Sequence, residues 1–77
     1  MILNFIISWI RNNLNVECGP EENFFENHSL DSLNFAELIS AIEIHYSIEI
    51  NFDQLKDWSI INTPLGLAEY INLSNEK

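Results

Sequence analysis

The feature that most constrains the fold is the spacing of apolar residues between positions 33 and 46, in the stretch LNFAELISAIEIHY. At about 100° per residue, one arc of a helix collects a complete apolar core face. Its members are Phe35, Leu38, Ile39, Ile42 and Tyr46. The opposite arc mixes apolar side chains, small residues and carboxylates. Its members are Leu33, Ala36, Glu37, Ser40, Glu43 and Ile44. The pattern predicts a helix from about Ser32 to Tyr46 that is apolar on two sides.

Two further segments have helical spacing. Apolar residues recur at intervals of three and four from Met1 to about Leu14, which predicts a broadly buried first helix. Thr63 followed by Pro64 supplies an N-cap and a proline at the first helical position, and so predicts the start of a last helix. That helix carries Leu67, Ala68, Tyr70 and Ile71.

The segments between these helices give weaker signals. Gly19 and Pro20 interrupt the helical pattern and begin a long loop that Phe24 and Phe25 are expected to pin to the core. The stretch SIEINF alternates briefly, and we interpret it as an extended linker with Ile48 and Ile50 pointing inward. Beyond it, Asn51 and Gln54 have the spacing of a capping box, which predicts a short third helix over about residues 52–58.

These elements predict an all-α fold: one domain over residues 1–77, arranged as a small four-helix bundle. Three helices are longer, the third is short, and the first loop is long. A chain of 77 residues buries only about 60% of its unfolded surface, so a large catalytic cleft would use up much of its core. We therefore expect a carrier, binding or adaptor module. No acid–base pair, nucleophile with its base, or metal-ligand cluster can be picked out, which argues against an enzyme.

Charge limits the class of partner. Twelve acidic residues against three Lys and Arg give a net charge of −9. Such a chain repels nucleic acid and anionic membrane surfaces and favours basic protein partners. The apolar opening is too short to span a bilayer and lacks the basic start and cleavage site of a signal peptide. The single Cys18 cannot form an internal disulfide, so we expect a cytoplasmic protein.

Ser32 stands at the start of the predicted second helix. Asp31 or Ser32 supplies the N-cap oxygen, and capping is the commonest use of a serine there. However, a helix N-terminus also favours negative charge, so a phosphate ester on Ser32 would be well placed. A group tethered at Ser32 would be presented beside Leu33 and its neighbours.

These residues resemble the acyl and peptidyl carrier proteins. The hallmark of that family is Asp-Ser-Leu at the start of the second helix, found here as Asp31-Ser32-Leu33. Further positions in the family's spacing, and a last helix of similar sequence, extend the resemblance over nearly the whole chain. They are Glu37-Leu38, Ile42-Glu43, Tyr46, Ile48-Glu49-Ile50 and the stretch NTPLGLAEYI.

The resemblance implies that Ser32 is esterified with 4′-phosphopantetheine from coenzyme A by a phosphopantetheinyl transferase, with Asp31 helping to place the serine and the magnesium-bound donor. The arm would carry acyl or aminoacyl groups as thioesters between loading and synthase enzymes. Partner enzymes with basic patches would recognise one face of the second helix, which we call the docking strip. It comprises Leu33, Ala36, Glu37, Ser40, Glu43 and Ile44. A monomeric, non-catalytic carrier is expected.

Departures from the family pattern indicate which kind of pathway the carrier serves. The pathways considered are fatty-acid, polyketide and nonribosomal peptide synthesis. Asn34, Ile44 and His45 stand where fatty-acid carriers usually place acidic residues, and Ser29-Leu30 replaces their usual Gly-Ala. The Phe-rich loop and the stretch NFDQLKDW look closer to discrete carriers loaded by stand-alone adenylating enzymes, the D-alanyl carriers among them. A dedicated carrier in a specialised pathway is therefore expected. An acidic helical adaptor without a prosthetic group is the alternative from another class.

Overall fold

The computed structural model describes residues 2–26, 30–53 and 55–74. Met1, Gln54 and Ser29, on which some sequence predictions rest, lie outside these ranges. The described residues form three α-helices and one short 3₁₀ helix: α1 (Ile2–Leu14), α2 (Ser32–Tyr46), the 3₁₀ helix (Trp58–Ile61) and α3 (Pro64–Ser74). No strand occurs within these ranges, so an all-helical fold is confirmed.

Helix α1 ends where Asn15 adopts a left-handed conformation with φ 60°, while its N–H still donates to the Arg11 carbonyl at 3.0 Å. Asparagine tolerates this conformation better than most residues because its short polar side chain can bond locally. The helix buries Ile6 and Ile10 completely and packs against both α2 and α3. The other apolar residues of α1 are half-buried, in agreement with a broadly buried first helix.

The long first loop is held to the start of α3 by two backbone hydrogen bonds. Phe24 N–H donates to the Asn62 carbonyl at 3.0 Å, and Leu65 N–H donates to the Pro20 carbonyl at 2.9 Å. The Phe24 side chain is fully buried and Phe25 is half-buried, so the prediction that these rings pin the loop is confirmed. Cys18 also lies in this loop and is buried in the core.

The N-terminus of α3 follows the predicted chemistry. Gly66 N–H donates to Thr63 Oγ1 at 3.0 Å, and Pro64 is the first residue of the helix. A Cβ placed on Gly66 would lie 2.0 Å from the Ile60 carbonyl oxygen. Only glycine therefore lets α3 approach the 3₁₀ helix so closely.

The predicted third helix over residues 52–58 is wrong. Asn51 Oδ1 accepts the Asp53 N–H at 2.7 Å and so closes a local turn rather than capping a helix. The helical turn lies further along, at Trp58–Ile61, where Asp57 is the cap. The described ranges thus contain three α-helices, with one 3₁₀ helix between α2 and α3, and do not confirm the predicted four-helix bundle.

The core is formed by α1, α2, the 3₁₀ helix, α3 and the loops between them. Buried residues from all these segments form one cluster: Ile6, Ile10, Cys18, Phe24, Leu30, Leu38, Ile39, Ile42, Ile50, Ile61, Leu67, Ala68 and Ile71. Ile50 is buried and Ile48 packs against the cluster, as predicted for the linker after α2. In the described ranges, no helix is long and apolar enough to cross a membrane.

Candidate functional site

The first turn of α2 is organised by Asp31, which is its N-cap. Asp31 Oδ1 accepts the Asn34 N–H at 2.8 Å, and the Asp31 carbonyl accepts the Phe35 N–H at 2.9 Å. Of the two cap candidates, Asp31 therefore fills the role and Ser32 is the first residue of the helix. The Ser32 side chain is exposed.

The surroundings of Ser32 suit a phosphate ester. Ser32 begins a helix of 15 residues whose first turn contains no acidic side chain. Backbone N–H groups at such an end carry a partial positive charge that stabilises an anion within the first turn. The carboxylate of Asp31, the nearest negative charge in the sequence, is already bonded to the Asn34 N–H. An exposed hydroxyl at this position can accept a phosphate group without disturbing the cap.

Most of the predicted docking strip is exposed. Leu33 is 69% exposed and Ile44 is 80% exposed, although both are large apolar residues. Ala36, Glu37 and Ser40 are exposed as well. The structure therefore places an apolar surface with small central residues and a carboxylate along the helix that begins at Ser32.

Glu43 differs from the rest of the docking strip. It is only half-exposed, and its Oε2 accepts the backbone N–H of Ile50 at 2.8 Å. This bond ties α2 to the linker that follows it. The Glu43 carboxylate is therefore engaged in holding the fold together, while Glu37 presents its carboxylate to solvent.

The opposite face of α2 packs inward, as the periodicity predicts. Leu38, Ile39 and Ile42 are buried, and Phe35 and Tyr46 are half-buried against the core. His45 is exposed, and its ring lies 4.6 Å from that of Phe5 and 4.7 Å from that of Tyr46.

Sequence reasoning missed an aromatic contact between α2 and α3. The Phe52 ring lies 6.0 Å from Phe35 of α2 and stacks on Tyr70 of α3 at 5.6 Å. The Tyr70 hydroxyl also donates to the Asn51 carbonyl at 2.7 Å. Periodicity within one helix could not reveal this contact because its members come from separate segments of the chain.

The family model for the phosphopantetheine attachment site matches residues 5–71, from the first turns of α1 to α3. Comparison with curated proteins and with solved structures gave no significant match. The family attaches 4′-phosphopantetheine covalently, and its members carry thioesters on that arm without catalysing reactions themselves. The exposed serine at the start of α2 fits such an attachment. The chain therefore belongs to the acyl and peptidyl carrier protein family, whose model covers the whole of α2 and most of α1 and α3.

Proposed function

We propose that Ser32 is the residue that bears the 4′-phosphopantetheine arm, and that the protein presents acyl or aminoacyl groups to the enzymes of a specialised pathway. One observation carries this assignment. The N-cap role belongs to Asp31, so that the Ser32 side chain stands exposed at the positive end of α2. The arm supplies a thiol on which cargo is held as a thioester.

Each residue around Ser32 contributes something different to this role. Asp31 fixes the first turn by binding the Asn34 N–H, and so holds the serine in one orientation. Asp31 is exposed, so that its carboxylate can also meet a transferase and the magnesium-bound coenzyme A. The backbone N–H groups of the first turn stabilise the negative charge of the attached phosphate.

The docking strip supplies recognition. Leu33 and Ile44 provide apolar area, while Ala36 and Ser40 between them let a partner surface approach closely. Glu37 and the net charge of −9 favour partners with basic patches and speed their encounter. We propose that the transferase, the loading enzyme and the synthase enzymes all use this surface of a monomeric, cytoplasmic carrier.

The composition of the docking strip supports a specialised pathway. Ile44 is 80% exposed at a position where fatty-acid carriers usually place an acidic residue. Partners adapted to a densely acidic helix would leave this side chain without a matching surface. A carrier loaded by a stand-alone adenylating enzyme, with an aminoacyl cargo such as D-alanyl, is the second candidate within the same proposal.

The test of the attachment site is phosphopantetheine transfer followed by intact mass. The apo-protein is incubated with coenzyme A and several broad-specificity transferases. We expect a gain of one phosphopantetheine on the wild type and on Ser40→Ala, which removes another exposed serine of α2. Ser32→Ala should gain nothing. If Ser32→Ala is modified as fully as the wild type, the assignment fails.

A second experiment separates a carrier from an acidic adaptor without a prosthetic group. Ser32→Ala and Leu33→Asp are compared for binding to a partner enzyme and for pathway output. A carrier loses output with either change, whereas an adaptor loses function only with Leu33→Asp. Retention of output by Ser32→Ala would favour the adaptor.

A further inference from the structure

Aromatic side chains from five segments form a continuous set of ring contacts between α2 and α3, which we call the aromatic ladder. Its members are Phe24, Phe25, Phe35, Phe52, Trp58 and Tyr70. Neighbouring rings lie between 5.0 Å (Phe24 to Phe25) and 6.2 Å (Phe24 to Phe35) apart. These separations are typical of aromatic pairs that attract each other beyond simple burial.

The aromatic ladder joins α2 and α3, two helices whose backbones do not lie close to each other. Helix α1 packs against α2 and against α3, and the 3₁₀ helix packs against α3. The span from α2 to α3 is made instead by the Phe35, Phe52 and Tyr70 rings. The hydrogen bond from the Tyr70 hydroxyl to the Asn51 carbonyl fixes the end of this span at 2.7 Å.

The aromatic ladder also stands beside the proposed attachment residue. Phe35 follows Ser32 by three positions in α2, so that the two side chains are neighbours on the helix surface. Phe35, Phe52 and Tyr70 all pack against the core cluster. Within that cluster Leu38, Ile42 and Ile71 have no exposed surface, and no pocket opens in the described part of the chain.

We infer that three rings of the aromatic ladder, Phe35, Phe52 and Tyr70, close the interior to the carried group, so that the cargo is a short acyl or an aminoacyl group that remains outside the helices. This inference rests on the proposed role of Ser32. A long aliphatic chain could reach the core between α2 and α3 only by separating Phe35 from Phe52 or Phe52 from Tyr70. Close-packed rings that contact one another on several sides are displaced less easily than isolated aliphatic side chains.

The experiment compares a short and a long cargo on the same carrier. A broad-specificity transferase moves acetyl- or octanoyl-phosphopantetheine from the corresponding coenzyme A analogue to the Ser32 hydroxyl and releases adenosine 3′,5′-bisphosphate. An amide replaces the thioester in both analogues to prevent hydrolysis. Two readouts follow: the methyl resonances of Leu38, Ile42 and Ile71, and the midpoint of thermal unfolding. We expect both cargoes to give the same core resonances and midpoints within about 2 °C, whereas burial of most of an eight-carbon chain would raise the midpoint by more than about 10 °C.

Variants test whether the rings themselves exclude the chain. In Phe52→Ala, or in the milder Phe52→Leu if the first fails to fold, the octanoyl form should gain thermal stability over the acetyl form and shift the three core methyls. Trp58→Ala is the matched control because Trp58, 59% exposed, lies at the outer end of the aromatic ladder. It should behave as the wild type does.

Two results would overturn the inference. Octanoyl-dependent shifts of the core methyls in the wild type would show that the interior admits a long chain. Exclusion of octanoyl by both Phe52 variants as well as by the wild type would show that the aromatic ladder is not what excludes it. Failure of every transferase to load Ser32 would instead count against the attachment site.

Discussion

The Glu43 carboxylate accepts the backbone N–H of Ile50 at 2.8 Å, which links the last turn of α2 to the linker after it, where Ile50 is buried. Ser47 makes this possible by adopting a left-handed conformation with φ 55°, which reverses the chain at the end of α2. Ile48 N–H then donates to the Glu43 carbonyl at 3.1 Å. One residue of the docking strip thus holds both ends of a turn that places Ile50 in the core.

Replacement of Glu43 tests this structural role. Glu43→Ala should lower the free energy of unfolding by about 1 to 2 kcal/mol, because the Ile50 N–H loses its acceptor in a half-buried site. The matched control is Glu37→Ala, which removes an exposed carboxylate from the same helix and should change stability by less than about 0.5 kcal/mol. Urea unfolding of the two apo-proteins measures the difference. Equal losses would show that the bond to Ile50 contributes nothing.

Replacement of Asp31 separates capping from charge. Asp31→Ala should destabilise the protein by about 1 kcal/mol through loss of the cap, whereas Asp31→Asn keeps an acceptor for the Asn34 N–H and most of the stability. If the carboxylate also helps to place magnesium-bound coenzyme A, Asp31→Asn will be modified more slowly than the wild type. Thermal unfolding and the rate of phosphopantetheine transfer measure the two effects separately. A stable Asp31→Asn variant with an unchanged transfer rate would show that the Asp31 carboxylate has no role in phosphopantetheine transfer.

Gly66 should tolerate no side chain. A methyl group there would meet the Ile60 carbonyl oxygen at 2.0 Å, so that α3 and the 3₁₀ helix must move apart. We expect Gly66→Ala to lower stability by about 2 kcal/mol and the unfolding midpoint by roughly 10 °C, in spite of the better helix propensity of alanine. Gly19→Ala is the control, because its nearest contact is the movable Glu22 side chain at 3.1 Å. A Gly66→Ala protein as stable as Gly19→Ala would contradict the close approach of α3 to the Ile60 carbonyl oxygen.

The hydrogen bonds of Asp57 predict that the stability of the 3₁₀ helix depends slightly on pH in the acidic range. Hydrogen bonds from the Ser59 hydroxyl at 2.7 Å and the Ser59 N–H at 3.0 Å lower the pKa of Asp57 below its ordinary value of 3.8. The cap is therefore fully formed above pH 3.8 and is lost as the pH falls through the lower pKa of the folded state. Carboxyl NMR titration should show the Asp57 pKa rising in Ser59→Ala. An unchanged pKa in that variant would rule out the Ser59 hydroxyl as a cause of the lowered pKa of Asp57.

The sequence predicted those parts of the fold that depend on local pattern. The bounds of α2, the cap at Thr63 and the inward face of Leu38 and Ile42 follow from periodicity and capping, which act over a few residues. The third helix was misplaced because Asn51 can either cap a helix or close a turn with Asp53, and only the surrounding packing decides between them.

The candidate site shows the same division between local and long-range information. The exposure of Ser32, Leu33 and Ile44 was predictable from one helix. The bond between Glu43 and Ile50 depends on how the chain reverses at Ser47, which no spacing rule encodes. The aromatic ladder likewise joins rings that are far apart in sequence.

Fragmentation mass spectrometry of the intact, transferase-treated protein shows whether Ser32 bears the prosthetic group. Fragment ions locate the added phosphopantetheine along the chain without any substitution that could disturb the fold. We expect every modified fragment to contain Ser32, and fragments that end before it or begin after it to keep their unmodified mass. A phosphopantetheine located on any other residue would contradict the assignment of Ser32.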